Sequence, residues 1–376
     1  MRKGWEIIPL GNLCSIKSGD SDTKDAVGDG AYAFFDRSRT IKRSSRYLFD
    51  CEALIIPGEG TIFLPRHFIG KFDLHQRAYA LFNFSARINV KFLYHYLHHI
   101  DDYFPRVAVG ATVKSLRLRH FEELPVPFPG LSEQQGIVRI LDKAFNGIAT
   151  AKTNAEKNFQ NARALFESHL QSVFTQRGTG WVETTIGQCI RFIDYRGKTP
   201  VKTESGLRLI TAKNVKMGFL QETPMEFIAP EAYEGWMTRG IPKLGDVLFT
   251  TEAPLANVAQ LDTAEKVAFA QRVIIMQPEK TKLDSTFLKY LLLSGPMQQR
   301  IRSKGTGATV LGIKASLLKQ IEISFPADIA RQDAIVSKLD ALATESQHLE
   351  SLYQQKLAAL AALKKSLLHQ AFSGAL

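Results

Sequence analysis

The chain has 376 residues, of which 45% are hydrophobic and 23% charged, so it can form two or three ordinary globular domains. Its net charge of +11 favours a polyanionic partner, although such a charge can also serve solubility alone. Three cysteines that lie far apart argue against a disulfide framework or a CxxC metal site, and predict a reducing, cytoplasmic location. The start of the chain lacks the apolar region of a signal peptide, and no apolar run approaches the roughly 18 residues that span a membrane.

The first half of the chain is repeated in the second half. The matched segments are Gly4-Trp5 with Gly180-Trp181, Gln76-Arg77 with Gln271-Arg272, Gly110-Ala111-Thr112-Val113 with Gly307-Ala308-Thr309-Val310, and Gln134 with Gln332. The offset between matched positions grows along the chain, so the second copy carries about 20 extra residues between its Trp and its Gln-Arg pair. Each copy is too large to be a stacked solenoid repeat, and the pattern therefore predicts a two-copy duplication.

Each copy opens with a block that is predicted to be mixed α/β. Short apolar runs bounded by glycine, proline or charge are typical of buried strands, and they occur at Ala53–Pro57, Ala78–Phe82, Asp246–Thr250 and Arg272–Met276. Helical spacing is found at Val90–Ile100 and Ser285–Ser294. Each block ends with a further strand-like run, LPVPF in the first copy and IEISF in the second.

A long helix is predicted after each block. Apolar residues follow heptad spacing at Leu141, Ala144, Ile148, Ala151, Ala155, Ala162 and Leu165, and the same register recurs at Leu339, Leu342, Ser346, Leu349, Tyr353, Leu360 and Leu363. Matched heptads favour a coiled coil between the two helices; the alternative is that each helix packs only on its own block. Ser132 with Gln135 forms a capping-box pattern at the start of the first helix, Asp328 is a candidate cap for the second, and Gly374 follows its end. The predicted division is thus a first block at 1–130, a helix at 131–177, a second block at 178–327 and a helix at 328–376.

Motifs for catalysis are missing from the sequence. It has no GxxxxGK[ST] phosphate loop and no HExxH, and GTGATV at Gly305 lacks the third glycine of a dinucleotide fingerprint. His95 and His99 stand four apart beside Asp101 and Asp102, but no third metal ligand is anchored nearby. We therefore expect neither catalytic nor metal-binding residues in this chain.

Basic clusters on stretches that carry glycine or serine are the candidate binding residues. Arginine and lysine neutralise phosphates, and arginine, lysine and asparagine can also bind base edges in the major groove. A single charge run is more often a solvated surface, but several clusters in two basic blocks favour DNA contact. The candidates are Arg37, Arg39, Lys42, Arg43 and Arg46 in the first block, and Tyr195, Arg196, Lys198, Lys213, Asn214, Lys216, Arg300, Arg302 and Lys304 in the second.

The block-to-helix junction LPVPFPGLSEQQGIVRILD resembles that of the specificity subunit of type I restriction–modification systems (HsdS). LIIPGEGTI with GKFDLHQRAYAL, and GDVLFTTEAP with FAQRVIIM, are similar to its recognition-domain core segments, and the resemblance covers nearly the whole chain. The second junction departs from the pattern at Ala330-Arg331.

The resemblance implies a fold and a function. Each block would be a target recognition domain for one half of a split DNA sequence, and the helices would form an antiparallel coiled coil that relates the copies by a pseudo-twofold axis and sets the gap. The partners would be double-stranded DNA, two modification subunits that use S-adenosylmethionine to methylate adenine N6, and restriction subunits that use ATP and Mg. The chain itself would bind no cofactor and would not be an enzyme. The rival interpretations are a coiled-coil scaffold with incidental basic charge, and a self-contained nuclease or methyltransferase.

Overall fold

A computed structural model of the protein describes residues 4–195 and 199–376. The chain divides into two compact units, which we call unit 1 (residues 4–156 with Gln354–Leu376) and unit 2 (the described residues of Lys157–Tyr353). These units differ from the predicted division because each contains a block and one half of each long helix. A helix half therefore folds with the block whose core it enters.

Unit 1 has a mixed α/β block, as the sequence predicts. Its strands are β1 (Glu6–Pro9), β2 (Ser15–Ser18), β3 (Tyr32–Phe35), β4 (Lys42–Ser44), β5 (Phe49–Pro57), β6 (Arg66–Leu74), β7 (Ala78–Phe82) and β8 (Pro125–Phe128). Its short helices are α1 (Val90–His99), α2 (Tyr103–Val107) and α3 (Leu118–Glu122), and the long helix α4 (Leu131–Thr175) begins here. The predicted strand Ala78–Phe82 is β7 itself, and Ala53–Pro57 is the buried end of β5.

One sheet forms the centre of unit 1. It has the strand order β2-β7-β5-β6-β3-β4, with antiparallel neighbours except for β3 and β6, which are parallel. Strands β1 and β8 pair separately, and place the end of the block directly before α4. One face of the sheet packs with α1, α3 and the ends of both long helices in a single core, and the other face forms a smaller aromatic core.

Unit 2 repeats this plan with additions. In chain order it contains β9 (Trp181–Thr185), α5 (Ile186–Cys189), β10 (Ile190–Asp194), β11 (Leu207–Ile210), β12 (Phe227–Ile228), α6 (Tyr233–Trp236), β13 (Val247–Thr250), β14 (Val258–Gln260), β15 (Ala268–Phe269), β16 (Val273–Pro278), α7 (Ser285–Leu293), α8 (Gly295–Ser303), α9 (Ala315–Lys319), β17 (Glu322–Pro326) and α10 (Ile329–Ser373). Its sheets have the orders β10-β16-β13-β14 and β12-β11-β15, and β17 pairs with β9 as β8 pairs with β1. Strand β12 and helix α6 lie in the segment that is longer in the second copy.

The two long helices pack against each other within each unit, and they run antiparallel. In unit 1, Lys364 near the end of α10 lies over the ring of Phe145 near the start of α4, 5.0 Å from its centre. In unit 2, Arg163 late in α4 pairs with Glu350 in α10 at 3.3 Å. The predicted helix pair is therefore confirmed, and the alternative is wrong because each helix pairs with the other and enters the cores of both blocks.

Helix capping follows the prediction at the second helix but not at the first. The Asp328 carboxylate accepts a hydrogen bond from the Ala330 amide at 3.0 Å, and Gly374 ends α10 in a left-handed conformation with φ 83°. The capping box at Ser132 is wrong. Helix α4 already begins at Leu131, two residues before the start that a cap at Ser132 implies, and the Gly130 carbonyl accepts the first helical amides, so Ser132 lies in the first turn.

The heptad register is right at the start of each helix and wrong at its end. Leu141 and Leu339 are fully buried, but Leu165 is 57% exposed and Leu363 is 48% exposed. The predicted positions Ala155, Ala162 and Ser346 are buried, and only the last predicted position of each helix fails: in α4 the partly buried Phe166 takes the place of Leu165. A straight α-helix has 3.6 residues per turn and drifts about 20° per heptad from a 3.5-residue repeat, which turns the last predicted positions out of the seam.

Candidate nucleic-acid interface

In unit 1, a short hairpin lies beside an ion pair. The Arg77 guanidinium donates to the Glu59 carboxylate at 2.6 Å. The backbone of Ser115 pairs with Glu59 on one side and with Val109 on the other, which closes a loop from Val109 to Ser115. The loop is thereby fixed to the strand end that carries Glu59.

Unit 2 contains the same arrangement at the matched positions. Arg272 pairs with Glu252 at 2.9 Å, and the backbone of Gly312 pairs with both Glu252 and Thr306. We call the two loops, Val109–Ser115 and Thr306–Gly312, the glycine hairpins. The repeated Gln-Arg and GATV motifs are therefore brought together in each unit by the fold.

Glycine is required at the start of each hairpin tip. Gly110 has φ 121°, and a Cβ there would lie 2.1 Å from the carbonyl oxygen of Val113. Gly307 has φ 126°, with the same 2.1 Å clash against Val310. Both features exclude a side chain, so the repeated glycines fix one loop shape in both units.

A concave pocket of about 580 Å³ lies next to Glu59 in unit 1. It is lined by the basic side chains of Arg37, Arg39 and Arg66 and by the apolar side chains of Ile62 and Leu64. Arg66 is a structural residue, since its guanidinium donates to the carbonyls of Ser38 at 2.9 Å and Asp36 at 2.7 Å. The pocket thus combines apolar contact area with cations at its edge.

The predicted basic residues of unit 1 fall into two groups. Arg37 has a 63% exposed side chain and is 3.9 Å from Glu59, and Arg39 is exposed with no partner among the described residues. The others are engaged: Lys42 pairs with Asp36 at 2.7 Å, Arg43 donates to the Gly30 carbonyl at 2.8 Å, and Arg46 pairs with Asp20 and, at 3.5 Å, with Asp73. Arg37 and Arg39 are the cations best placed to meet DNA.

A smaller pocket, of about 280 Å³, lies at the matched place in unit 2. Its lining includes Glu252, Gln271 and Arg272 together with Thr306, Val310 and Lys314. Arg302 and Lys304 are exposed at the end of α8, directly before this hairpin. Arg300 is partly buried and donates to the Glu322 carbonyl at 2.6 Å.

Two predicted DNA contacts of unit 2 are structural residues instead. Asn214 is 1% exposed, and its amide donates to the carbonyls of Gln221, Glu222 and Pro224. Tyr195 is 3% exposed, and its hydroxyl donates to the Gly240 carbonyl at 2.9 Å. Neither side chain can reach a base without breaking these bonds, so we assign both to holding loops.

The remaining predicted residues of unit 2 are described only in part. Lys213 is exposed and lies 3.9 Å from Glu226, whereas Lys216 is partly buried. Arg196 and Lys198 fall outside the described residues. Their predicted contact with DNA stays a prediction.

Sequence reasoning missed several residues of these surfaces. Glu59 and Glu252 carry a charge that opposes DNA, so a search for basic clusters passes over them, although each stands in a repeated core segment. Ile62 and Leu64 are 45% and 37% exposed. A short apolar run predicts buried residues, so the sequence gives no sign that these two side chains are exposed.

The candidate metal ligands at the end of α1 do not converge on one point. His95 Nε2 is 2.9 Å from Asp142, whereas His99 stacks on Phe372, so the two histidines face different partners. Over residues 4–195 and 199–376, no group of three potential metal ligands comes together. The described helices also include none that is long and apolar enough to cross a bilayer.

Each of the two mixed α/β units has a basic concave pocket beside a repeated hairpin, and each includes part of the paired long helices. This combination defines a duplicated binding protein of the DNA-recognition class. The family model described as "Type I restriction modification DNA specificity domain" matches residues 2–158 and 237–357. The chain belongs to this family, which confirms the resemblance of its junction and core segments.

Relatives of similar length carry the same description. The chain is 21% identical to the type I restriction enzyme EcoDI specificity subunit of Escherichia coli, in a match that covers 99% of this chain and 88% of the relative. It is also 21% identical to the type I restriction enzyme MjaVIII specificity subunit of Methanocaldococcus jannaschii, over 90% of this chain and 86% of the relative.

Solved structures show the same fold. A chain from a structural study of complex assembly and conformational transition of the type I R-M system superposes with a TM-score of 0.74, at 17% identity, covering 99% of this chain and 98% of the other. The HsdS subunit from Thermoanaerobacter tengcongensis gives a TM-score of 0.58 at 16% identity, over 100% of this chain and 98% of the other. The predicted mixed α/β fold with paired long helices is thus confirmed.

Proposed function

We propose that the chain is the non-catalytic DNA specificity subunit of a type I restriction–modification complex. Each unit binds one half of a split DNA target, and the paired helices set the gap between the half-sites. One observation carries the proposal: the two units share a hairpin and an ion pair but surround them with different pockets. A split target with two different half-sites requires that combination.

The pockets differ in shape and chemistry. In unit 1 the exposed cations Arg37 and Arg39 stand beside Ile62 and Leu64, an arrangement suited to base edges and thymine methyl groups. In unit 2 the smaller pocket has Arg302 and Lys304 next to its hairpin, and its apolar lining is the exposed Val310 with the buried Ile313. The two surfaces are therefore expected to select different bases.

Two modification subunits would dock on the long helices. Leu165 of α4 and Leu363 of α10 occupy matched positions in the repeat, and both are about half exposed. Each lies outside the seam of its helix, where an apolar side chain gains nothing from the fold of its own unit. Equivalent apolar positions on both copies suit two identical partners, and restriction subunits would join the same complex.

The partners would supply the chemistry. S-adenosylmethionine is assigned to the modification subunits, and ATP and Mg to the restriction subunits, while this chain binds none of them. The complex would act on cytoplasmic DNA. The scaffold alternative explains the helices, but it gives no role to the repeated hairpins or to the two different pockets.

The test is to map methylated adenines in cells that carry the complex with the natural chain or with longer helices. Seven residues are inserted into α4 near Ala155 and seven into α10 near Tyr353, which keeps the apolar seam in phase. The helix pair should lengthen by about 10 Å, or roughly three base pairs of DNA, so both half-sites should be kept with a longer gap. Methylation at the original spacing by the lengthened chain would refute the role of the helices.

A further inference from the structure

We infer that the glycine hairpins are phosphate-binding clasps, one in each unit, that hold the DNA backbone without regard to sequence. The inference rests on the proposed function and names which surface meets the backbone rather than the bases. It starts from the contrast between what the two units share and what they do not.

The hairpin tips repeat residues that the fold does not require. Ala111, Thr112 and Val113 recur as Ala308, Thr309 and Val310, and all six are exposed. The glycine before each triplet is explained by its backbone conformation, but exposed side chains add nothing to either core. Val113 and Val310 are even 46% and 50% exposed apolar residues. Their repetition indicates a ligand that is the same for both units.

The DNA backbone is such a ligand. Two domains that select different bases still contact chemically identical phosphates. Exposed residues that both domains share are therefore expected to contact the DNA backbone, which carries no base-sequence information. Phosphate oxygens accept hydrogen bonds from hydroxyls and backbone amides, and both are available at the tips. The amides of residues 110–114 and 307–311 have no hydrogen-bond partner among the described residues, and each tip carries one threonine hydroxyl.

Positive charge stands at matched places around each tip. Arg117 follows the first hairpin and Lys314 follows the second, two residues after Ser115 and Gly312 respectively, and both are exposed. Arg77 and Arg272 form a second matched pair, with 59% and 48% exposed side chains held by their glutamates. The glutamates orient these guanidinium groups at the foot of the hairpin.

The hairpins also border the surfaces that are expected to contact bases. In unit 1, Glu59 both lines the pocket of Arg37 and Arg39 and pairs with the hairpin. In unit 2, Thr306, Val310 and Lys314 line the pocket, and we assign its base contacts to the neighbouring Arg302 and Lys304 and its backbone contact to the hairpin. A backbone contact at this border would position the adjacent groove over the pocket.

The test measures binding of the full-length chain to a random-sequence duplex and to the split target found by methylation mapping, each over a series of salt concentrations. The variant chain carries Thr112→Val, Arg117→Ala, Thr309→Val and Lys314→Ala, all at exposed positions. Each lost cation–phosphate contact lowers the slope of log affinity against log salt by about 0.9, so the slope should fall by about 2. Affinity for target and random duplex should fall by the same factor, and the methylated sequence should not change.

A charge-matched control carries Lys71→Ala and Lys280→Ala, which lie in β6 and after β16, outside both hairpins. We expect the control to keep the natural salt slope to well within one unit. An unchanged slope in the hairpin variant, or a changed ratio between target and random duplex, would overturn the inference. So would normal DNA binding with loss of copurified modification subunits, which would make the hairpins a protein-docking surface. If the natural chain directs no methylation to any split target, the proposed function itself fails, which is a separate result.

Discussion

Asp142 in unit 1 and Asp340 in unit 2 hold matched places on their long helices, yet they bind different partners. Asp142 accepts hydrogen bonds from His95 Nε2 at 2.9 Å and Lys91 Nζ at 2.7 Å. Asp340 accepts one from the hydroxyl of Tyr290 at 2.5 Å. The two units thus share the carboxylate, but its partners are a histidine and a lysine in unit 1 and a tyrosine in unit 2.

The difference gives the two units different responses to pH. Around Asp142, unit 1 has a cluster of histidines at the end of α1, where burial lowers the pKa of His95 and lowers that of His98 to about 4. In unit 2, His169 and His348 are both exposed. Burial and the Asp340 carboxylate raise the pKa of Tyr290. A duplicated frame can thus carry a buried histidine cluster in one copy and a tyrosine at the matched place in the other.

A buried glutamine, by contrast, is the same in both units. Gln134 and Gln332 are fully buried at the start of α4 and α10. Gln134 accepts from the Asn89 amide at 2.7 Å and donates to the Pro129 carbonyl at 2.8 Å. Gln332 accepts from the Asp284 amide at 2.9 Å and donates to the Pro326 carbonyl at 2.8 Å. Each glutamine joins a long helix to the helix start and the strand end of its own block.

The largest expected effect comes from removing this junction. Gln134→Leu removes the partner of the partly buried Asn89 amide and of the carbonyls of Pro129 and Arg87, at about 1–3 kcal/mol for each group that stays shielded from water. We expect the free energy of unfolding of unit 1 to fall by about 3 kcal/mol or more. Urea unfolding followed by the fluorescence of Trp5, in a chain with Trp181→Phe and Trp236→Phe, isolates this unit because the protein has three tryptophans.

The matched control is Gln135→Leu, one residue along and exposed, which should change stability by about 0.5 kcal/mol or less. Gln332→Leu should have the large effect in unit 2 and leave unit 1 unchanged. Equal effects of Gln134→Leu and Gln135→Leu would show that the glutamine is not a junction residue.

A smaller effect is expected from acid. The folded His98 has its pKa lowered to about 4, whereas in the unfolded chain the value is near 6.5, so only the unfolded chain binds a proton between these values. The stability of unit 1 should therefore fall as the pH drops from about 6.5 to 4. Each unit of pKa difference corresponds to about 1.4 kcal/mol, which sets a limit of roughly 3 kcal/mol for His98.

His98→Phe removes the titrating group and keeps a ring against Tyr94. This variant should lose most of the pH dependence of unfolding in unit 1, as followed by Trp5 fluorescence between pH 4 and pH 7. His348→Phe, at an exposed position in unit 2, should leave it intact. A pH dependence that survives His98→Phe would assign the acid sensitivity to other groups, such as His95 or His99.

The sequence predicts the repeated frame well because that frame depends on local patterns. Turn residues predict the bounds of β7, the capping pattern predicts the cap at Asp328, and periodicity predicts the buried first positions of the heptad pattern in each long helix. The predicted burial is wrong at Leu165 and Leu363, because a 3.5-residue pattern does not show where the apolar positions of a straight helix leave the contact with the other helix.

The binding surfaces are harder to predict because they depend on distant partners. Lys42 and Arg46 belong to a basic cluster, but the fold places Asp36 and Asp73 against them. Asn214 is predicted as a DNA contact because it lies in a basic loop, but its amide is bonded to the carbonyls of Gln221 and Pro224, in the part of the second copy that has extra residues. Local charge therefore identifies the basic blocks and not the individual contacts.

The most direct test of the account is to ask whether the two units contact two different half-sites. Methylated adenines are mapped in cells that carry either Arg37→Ala with Arg39→Ala in unit 1, or Arg302→Ala with Lys304→Ala in unit 2. Loss of a base contact costs about 1–3 kcal/mol and relaxes the positions it selects. The account predicts that each variant relaxes one half-site, that the two variants relax different halves, and that the gap stays the same. Relaxation of the same half-site by both variants, or of both half-sites by either one, would contradict it.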